Sequence, residues 1–217
     1  RGVHGARRSP MSSPSALKMI AVWIKAASRN RGLLRCAVLS AMVVLPIGFF
    51  RVSAATFGSS FSLKDGTGKT ISTQQFHGKF ILVMFGYTHC PDFCPTELYT
   101  VVQALRQLGG EASVVQPLFI TVDPARDSPA IVGRYVALFS SSIIGLSGSP
   151  DAIFRVEQAF HVYVGPTNTS TGAISHSSLL YVIGPDGQFL TAINGMMTAS
   201  ALGNKLRRIL GANSSVQ

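Results

Sequence analysis

Two cysteines stand four positions apart in Cys90-Pro91-Asp92-Phe93-Cys94, within the stretch Gly86–Pro95 that directly follows the apolar run Phe80–Phe85, and Cys94 directly precedes Pro95. A thiol pair at this distance has three uses: it closes a structural disulfide, exchanges electrons through one, or holds a metal ion between two soft donors. The common exchange motif has two residues between its cysteines, whereas three stand here. Four positions is about one helical turn, so both sulfurs can reach one ion or each other. Proline is a residue type that opens helices, which puts Cys94 at or near the N-cap of a helix. Unpaired N–H groups and the helix dipole favour negative charge there, so Cys94 is expected as a thiolate. Thiolates are nucleophiles and metal ligands alike, and the argument serves both chemistries.

Two thiolates suit Cu(I), and an imidazole completing the set would also accommodate Cu(II). Five histidines are available. His4 lies in the N-terminal leader, His77 in a turn expected to face solvent, and His161 just past a helix whose negative end it would complement. His89 adjoins Cys90, but side chains of neighbouring residues diverge on an extended or turning chain. His176, in Ser175-His176-Ser177-Ser178, sits just ahead of the apolar run Leu179–Ile183. The residues alone leave His176 open between a ligand and an ordinary loop histidine. Around the pair, Asp92 reads as a turn residue and Glu97 as a first-turn helix acid. Arg126 and Asp127 read as pairing within their loop or capping the next helix. Tyr87 reads either as an exposed docking aromatic or as packing beside the turn.

The elements that must position these residues follow from pattern. Phe61–Lys64 before Asp65-Gly66 reads as a strand entering a turn, with Thr70–Ser72 as its hairpin partner. Phe80–Phe85 is apolar on both faces and reads as a central strand. Pro95–Leu108 carries Leu98, Val101, Val102, Leu105 and Leu108 at helical spacing and is closed by Gly109-Gly110. Val115–Val122 is the next strand, and helices are expected over 128–139, 149–160 and 199–210. Leu179–Ile183 and Phe189–Ile193 flank the turn signal Pro185-Asp186-Gly187, and residues 211–217 are expected to fray. Alternating short apolar runs and helices indicate a mixed α/β domain with a largely parallel sheet. A strand, a cysteine-bearing turn and a helix, with a hairpin and a terminal helix at the far end, is the thioredoxin-like arrangement. In that fold the segment carrying His176 crosses near the cysteine turn.

Charge separates the chain into two parts. Residues 1–51 hold nine Lys or Arg and no acid, whereas the remaining residues hold ten basic and nine acidic side chains. The formal charge of +10 is therefore a property of the leader, and a nucleic-acid partner is set aside for the folded part. Residues 36–50 form a charge-free apolar run behind Arg29, Arg31 and Arg35, and Cys36 at its start reads as a small membrane-facing residue. The run matches a signal-peptide core of about 7–15 residues and is short for a spanning helix of about 17–25. It is expected to act as a membrane anchor, with Arg51 at its far side, or to be removed by cleavage near Ala54. Either outcome sends the following domain across the membrane. The expected address is a bacterial inner membrane with a periplasmic domain, ahead of a mitochondrial inner membrane.

The stretch Phe85-Gly86-Tyr87-Thr88-His89-Cys90-Pro91-Asp92-Phe93-Cys94-Pro95 resembles the signature of the Sco/SenC family. The likeness continues through Val122–Pro129, Gly145–Gly148, His176-Ser177, Tyr181 and Pro185-Asp186-Gly187, and so spans about Phe57 to Leu210. That family comprises membrane-tethered thioredoxin-like proteins that bind copper and support assembly of the binuclear copper centre of cytochrome c oxidase. The resemblance implies Cys90, Cys94 and His176 as copper ligands, with Asp123 near the site as a tuning residue. It implies the copper-bearing oxidase subunit as the acceptor, and other copper chaperones as further partners. The family usually has Asp immediately before the ligand histidine, and this chain has Ser175. Loss of a carboxylate that fixes the imidazole is expected to weaken retention of Cu(II).

The organisation read from the sequence is thus a leader over 1–54 containing the apolar segment 36–50, a thioredoxin-like copper-binding domain over 55–211, and a flexible tail over 212–217. Two functions compete. One is a copper chaperone with a three-ligand site that releases its metal by ligand exchange. The other is a thiol-disulfide oxidoreductase in which Cys90 and Cys94 reduce the acceptor's cysteines before metallation, without need of His176. A structural zinc site would want a fourth protein ligand, and a structural disulfide would staple a longer loop than this one.

Overall fold

The computed structural model describes Gly58 and residues 60–214. Within them the run of apolar residues after Lys79 forms strand β3 (Phe80–Gly86), in which all seven positions are buried. Burial on both faces requires a neighbour on each side and a layer above and below. β4 (Val115–Thr121) runs parallel on one side, pairing Phe80 with Val115 and Gly86 with Thr121. β8 (Leu179–Ile183) runs antiparallel on the other, pairing Val83 with Tyr181. The sheet has seven strands in the order β2-β1-β5-β4-β3-β8-β9. Its flanks are the hairpin β1 (Ser62–Asp65) with β2 (Thr70–Ser72), joined through β5 (Ile144–Ser147), and the hairpin of β8 with β9 (Phe189–Asn194). Gly187, at a φ of +81°, makes the β8–β9 turn, where glycine avoids the steric cost of that conformation.

Side chains alternate across β3, and each face collects its own core. Phe80, Leu82 and Met84 meet Leu98, Val101 and Leu105 of α1 (Phe93–Leu108), Val132 and Val136 of α2 (Pro129–Ala137), and Leu202 and Leu206 of α4 (Ala199–Ser214). Ile81, Val83 and Phe85 meet Ile153 and Val156 of α3 (Pro150–Ala159) together with Phe160 and Tyr181. Phe85, Phe160 and Tyr181 stack edge to face, with ring centroids 5.4, 5.7 and 5.2 Å apart, the geometry their quadrupoles favour. A short two-stranded ribbon, β6 (Val164–Thr167) with β7 (Ile174–His176), is tied to this face through Ile174. The result is a thioredoxin-like fold with helices on both sides of a mixed sheet, and the expected largely parallel sheet is corrected: two of its six strand pairings are parallel, because the hairpins at both flanks add antiparallel strands.

Most expected elements appear near their predicted bounds, and the departures have local causes. α1 opens at Phe93 rather than Pro95, because proline is tolerated throughout a helix's first turn and not at its first position alone. α4 runs to Ser214, past the expected frayed start at Gly211, and the Asn213 side chain donates to the Ile209 carbonyl at 2.7 Å. The ribbon of β6 and β7 is absent from the sequence reading, so His176 lies at the end of a strand and not in a loop. Among the described residues no helix is long and apolar enough to cross a membrane. The run 36–50 expected as anchor or signal core lies outside the described residues.

Helix α2 sits close to the β1–β2 turn at two glycines. A Cβ on Gly133 would stand 2.6 Å from the Gly66 Cα. Alanine is the better helix former by about 1 kcal/mol, but overpacking against backbone costs roughly 1–3 kcal/mol. Gly133→Ala is therefore expected to lower the thermal unfolding midpoint. A raised midpoint would show that the turn yields and that propensity decides.

Candidate metal centre

The cysteine turn begins where β3 ends. The Asp127 side chain is fully buried and accepts from the Thr88 N–H at 2.8 Å, the Thr88 hydroxyl at 2.5 Å and the Thr121 hydroxyl at 2.7 Å. The Asp127 carbonyl accepts from the Ser147 hydroxyl at 2.6 Å. One residue after β4 thus clamps the turn to β4 and β5. Hydrogen bonds to a charged group contribute about 1.5–3 kcal/mol each, so this clamp is strong enough to order an irregular segment. At the last residue of β3, a Cβ on Gly86 would lie 2.8 Å from the Cys94 Sγ. Only glycine lets the sulfur settle over the strand's end.

The two thiols differ. Cys94 is in the first turn of α1 and faces inward, almost wholly buried. Burial pushes its thiol far above the ordinary value, with the Cys90 sulfur and Glu97 adding to the rise and the Tyr87 N–H opposing it. Cys90 precedes the helix, and its Sγ accepts from the Cys94 N–H at 3.4 Å. Burial raises the Cys90 thiol, but donation from the N–H groups of Cys94, Asp92 and Phe93 outweighs it, and the net shift is downward. This corrects the expectation of a Cys94 thiolate. Because the helix starts two residues early, its unpaired N–H groups serve the sulfur of Cys90. Both cysteines are free thiols.

His176 meets them from β7. Its Nε2 lies 3.7 Å from the Cys94 Sγ, and its Nδ1 lies 3.1 Å from the Ser177 carbonyl oxygen. A carbonyl only accepts, so Nδ1 carries the ring proton and Nε2 turns its lone pair toward the sulfur. Burial lowers the His176 pKa, which keeps the imidazole neutral, the form that binds metal. Ser175, where the family carries Asp, is exposed. The Nδ1 acceptor is supplied by main chain instead.

Tyr87 fixes the ribbon that carries His176. It is buried, its hydroxyl accepts from the Ile174 N–H at 3.2 Å, and its ring meets the His176 ring edge to face at 6.0 Å. The docking reading of Tyr87 is therefore overturned. Arg126 lies over the Tyr87 ring at 5.9 Å, donates to the Gly172 carbonyl at 2.8 Å, and is paired through Nε with the Asp123 carboxylate. Asp123 is buried and is linked to the centre by contact through Arg126 and Tyr87. Arg126 pairs within its loop as expected, whereas Asp127 takes on the clamp that sequence reasoning missed.

Among the described residues the other histidines stay apart, and His4 lies outside them. His77 and His161 are exposed, and His161 follows α3 with a left-handed φ of 51°. His89 is exposed and its Nδ1 turns to Asp127 at 3.6 Å, away from the pair. His89, Asp123 and Asp127 have ligand atoms within 4.8 Å of one another, but Thr88, Thr121 and Arg126 already fill both carboxylates. Glu97, expected as a first-turn helix acid, lies beyond the first turn because α1 opens early, and it is turned into a cavity it shares with Cys94 and His176. Its Oε1 is buried with no partner, and burial pushes its pKa up to about 7.

A sequence model of the SCO1/SenC family matches residues 51–211. The chain belongs to the SCO1/SenC family. The cattle "Protein SCO2 homolog, mitochondrial" is 40% identical over 168 residues, covering 75% of this chain and 63% of the relative. The yeast "Protein SCO1, mitochondrial" is 38% identical over 143 residues, covering 64% of this chain and 48% of that protein. The chain thus spans less than two thirds of the length of these relatives. Among solved structures, Bradyrhizobium japonicum ScoI with copper bound is 38% identical with a TM-score of 0.63, covering 70% of this chain and 98% of that one. Yeast Sco1 with copper bound is 35% identical with a TM-score of 0.64, covering 70% of this chain and 87% of that one. The Sco relatives matched by sequence are mitochondrial by name, which gives no support to the expected bacterial periplasmic address.

Two outcomes test this centre. In reduced, metal-free protein, alkylation by iodoacetamide is expected to titrate below the ordinary thiol range. Cys90→Ser should abolish the fast phase and Cys94→Ser should keep it, whereas the reverse would place the thiolate on Cys94 after all. Glu97 holds its proton more tightly folded than unfolded, so its contribution favours the fold below its ordinary pKa of 4.5 and is lost as pH rises through about 7. Glu97→Gln should be more stable than wild type in urea at pH 8 by on the order of 2–3 kcal/mol, with the gap closing toward pH 5. A gap that does not change with pH would mean the carboxyl is solvated.

Proposed function

We propose that this SCO1/SenC chain is a copper-delivery protein that holds copper on Cys90, Cys94 and His176 and passes it to the copper-bearing subunit of cytochrome c oxidase. The observation that carries the reading is the 3.7 Å approach of His176 Nε2 to Cys94 Sγ with the ring proton committed to Ser177. Two donors on one ion, at about 2.0–2.3 Å each, span such a distance. Cys90 is the third donor, one turn away and already disposed to ionise. The donor set is soft sulfur with imidazole, which suits Cu(I) and tolerates Cu(II). Two solved relatives hold copper, and the oxidase is the acceptor that the family resemblance implies.

Loading works against the proton on Cys94. Metal binding must displace it, and the cation's charge offsets the burial that raised the thiol's pKa. Release by ligand exchange is open because three protein donors leave a position for an acceptor's ligand. The apolar run 36–50 would tether the domain to the membrane in which the acceptor sits, with residues 55–211 on its far side.

The asymmetry of the thiols favours a second reading beside the first. The Cys90 thiolate would attack a disulfide in the acceptor, forming a mixed disulfide and releasing one acceptor thiolate. Cys94, losing its proton, would then attack Cys90 Sγ, which closes the Cys90–Cys94 bond and frees the second acceptor thiol. The acceptor is reduced by two electrons and the pair oxidised by two.

His176→Ala separates the readings. It is expected to weaken Cu(II) binding by more than the roughly 10–100-fold that loss of an outer partner costs, while the alkylation profile of Cys90 stays unchanged. Competition against a chelator of known affinity measures this. Unchanged Cu(II) affinity would remove His176 from the ligand set and leave the thiol-exchange reading standing.

A further inference from the structure

Two cavities open on either side of His176. One is shared with Cys94 and Glu97, the other with Tyr87 and Cys90, and Met196 lines both. Met196 is an apolar side chain left 66% exposed at the mouth of the centre, while its neighbour Met197 packs against the core. Its backbone is held. The Gly195 N–H donates to the Ser178 carbonyl at 3.0 Å, and the Met196 N–H donates to the Asn194 side-chain oxygen at 2.9 Å. A Cβ on Gly195 would fall on the Glu97 carboxylate, so a side chain there would have to displace it. The segment after β9 is thus pinned to the residues following His176 and to α1, with one flexible thioether over the gap between them.

We propose that the Met196 thioether is a transit ligand for Cu(I) at the mouth of the Cys90, Cys94 and His176 set. The inference rests on the copper-delivery reading. A thioether binds soft Cu(I) and neglects hard cations. It carries no proton to displace and no charge, so it joins the ion without the penalty a third buried thiolate would incur. Its unbranched chain reaches over several ångströms at little cost. In the exchange, a Cu–S bond to Met196 forms as the Cu–N bond to His176 breaks. No electron changes hands, and the acceptor's ligand later replaces the thioether.

The test uses the full chain with methyl-labelled methionine, reduced and loaded anaerobically with one equivalent of Cu(I). The Met196 methyl resonance is expected to shift on loading while that of buried Met84 does not. Met196→Leu keeps bulk and apolarity and removes only the sulfur. It should slow Cu(I) transfer to the chelator bicinchoninate by about threefold or more, with Cu(II) affinity and Cys90 alkylation unchanged, and Met197→Leu should transfer at the wild-type rate. Copper-loaded chain with an unmoved Met196 methyl, or a Met196→Leu chain that transfers like wild type, overturns the proposal alone. A wild-type chain that takes up no Cu(I) overturns the delivery reading and this proposal with it.

Discussion

A single buried carboxylate holds the cysteine turn in place. Asp127 receives three donors from Thr88 and Thr121, and each of those residues belongs to a different piece of the centre's frame. Thr88 starts the turn that leads to Cys90, and Thr121 ends the strand beside β3. An unpaired charge at this depth would cost several kcal/mol, so the three bonds are obligatory, and they in turn remove the turn's freedom. The position of Cys90, the entry of α1 and the depth of Cys94 follow from that constraint. On the opposite side Tyr87 performs the same task with one hydroxyl, binding the main chain two residues before His176. The candidate ligands come from two elements, and each element is fastened by a residue of the Gly86–Asp127 neighbourhood.

The inequality of the two thiols is a consequence of this geometry and not of their sequence neighbours. Both adjoin a helix start, but the N–H groups reach only the sulfur outside the helix. The inner sulfur is enclosed by Gly86, Phe119 and the imidazole. A site built this way presents one ready anionic donor and one that yields its proton only to something strongly cationic. Under the copper-delivery reading an ion arriving at Cys90 would be captured in stages, with His176 already neutral and oriented.

Much of the fold was legible because burial and periodicity coincide. β3 reads as apolar at every position and is buried at every position, and α1 shows its inward stripe at helical spacing. β6 and β7 were not legible: Val164-Gly-Pro-Thr and Ile174-Ser-His are short, carry no alternating pattern, and form only by pairing with each other. Cys90, Cys94 and His176 were singled out as candidate ligands from residue type and resemblance, and the fold brings them together, but the state of the thiols was not legible. Taking Pro95 for the first helical residue shifted the helix by two positions, and that small error moved the expected thiolate to the wrong cysteine. Asp127 and Tyr87 escaped because their roles depend on partners 39 and 87 residues away, a relation no local pattern encodes.

Charge balance gives the cavity around Cys94 a direction. With both thiolates formed and His176 neutral, Cu(II) makes a neutral cluster and Cu(I) makes one of net charge −1. Under the copper-delivery reading, burial would penalise the charged cluster and so offset part of the preference of soft sulfur for Cu(I), which would make the Cu(I) form easier to give up. Glu97 sharpens the difference. Its orphaned oxygen lines the same cavity, and when ionised it repels a cluster that already carries negative charge while leaving a neutral one less affected. Ser175 carries no charge and the imidazole is left to a main-chain carbonyl, so under the copper-delivery reading the balance between holding and releasing the ion would fall more heavily on the buried carboxyl of α1.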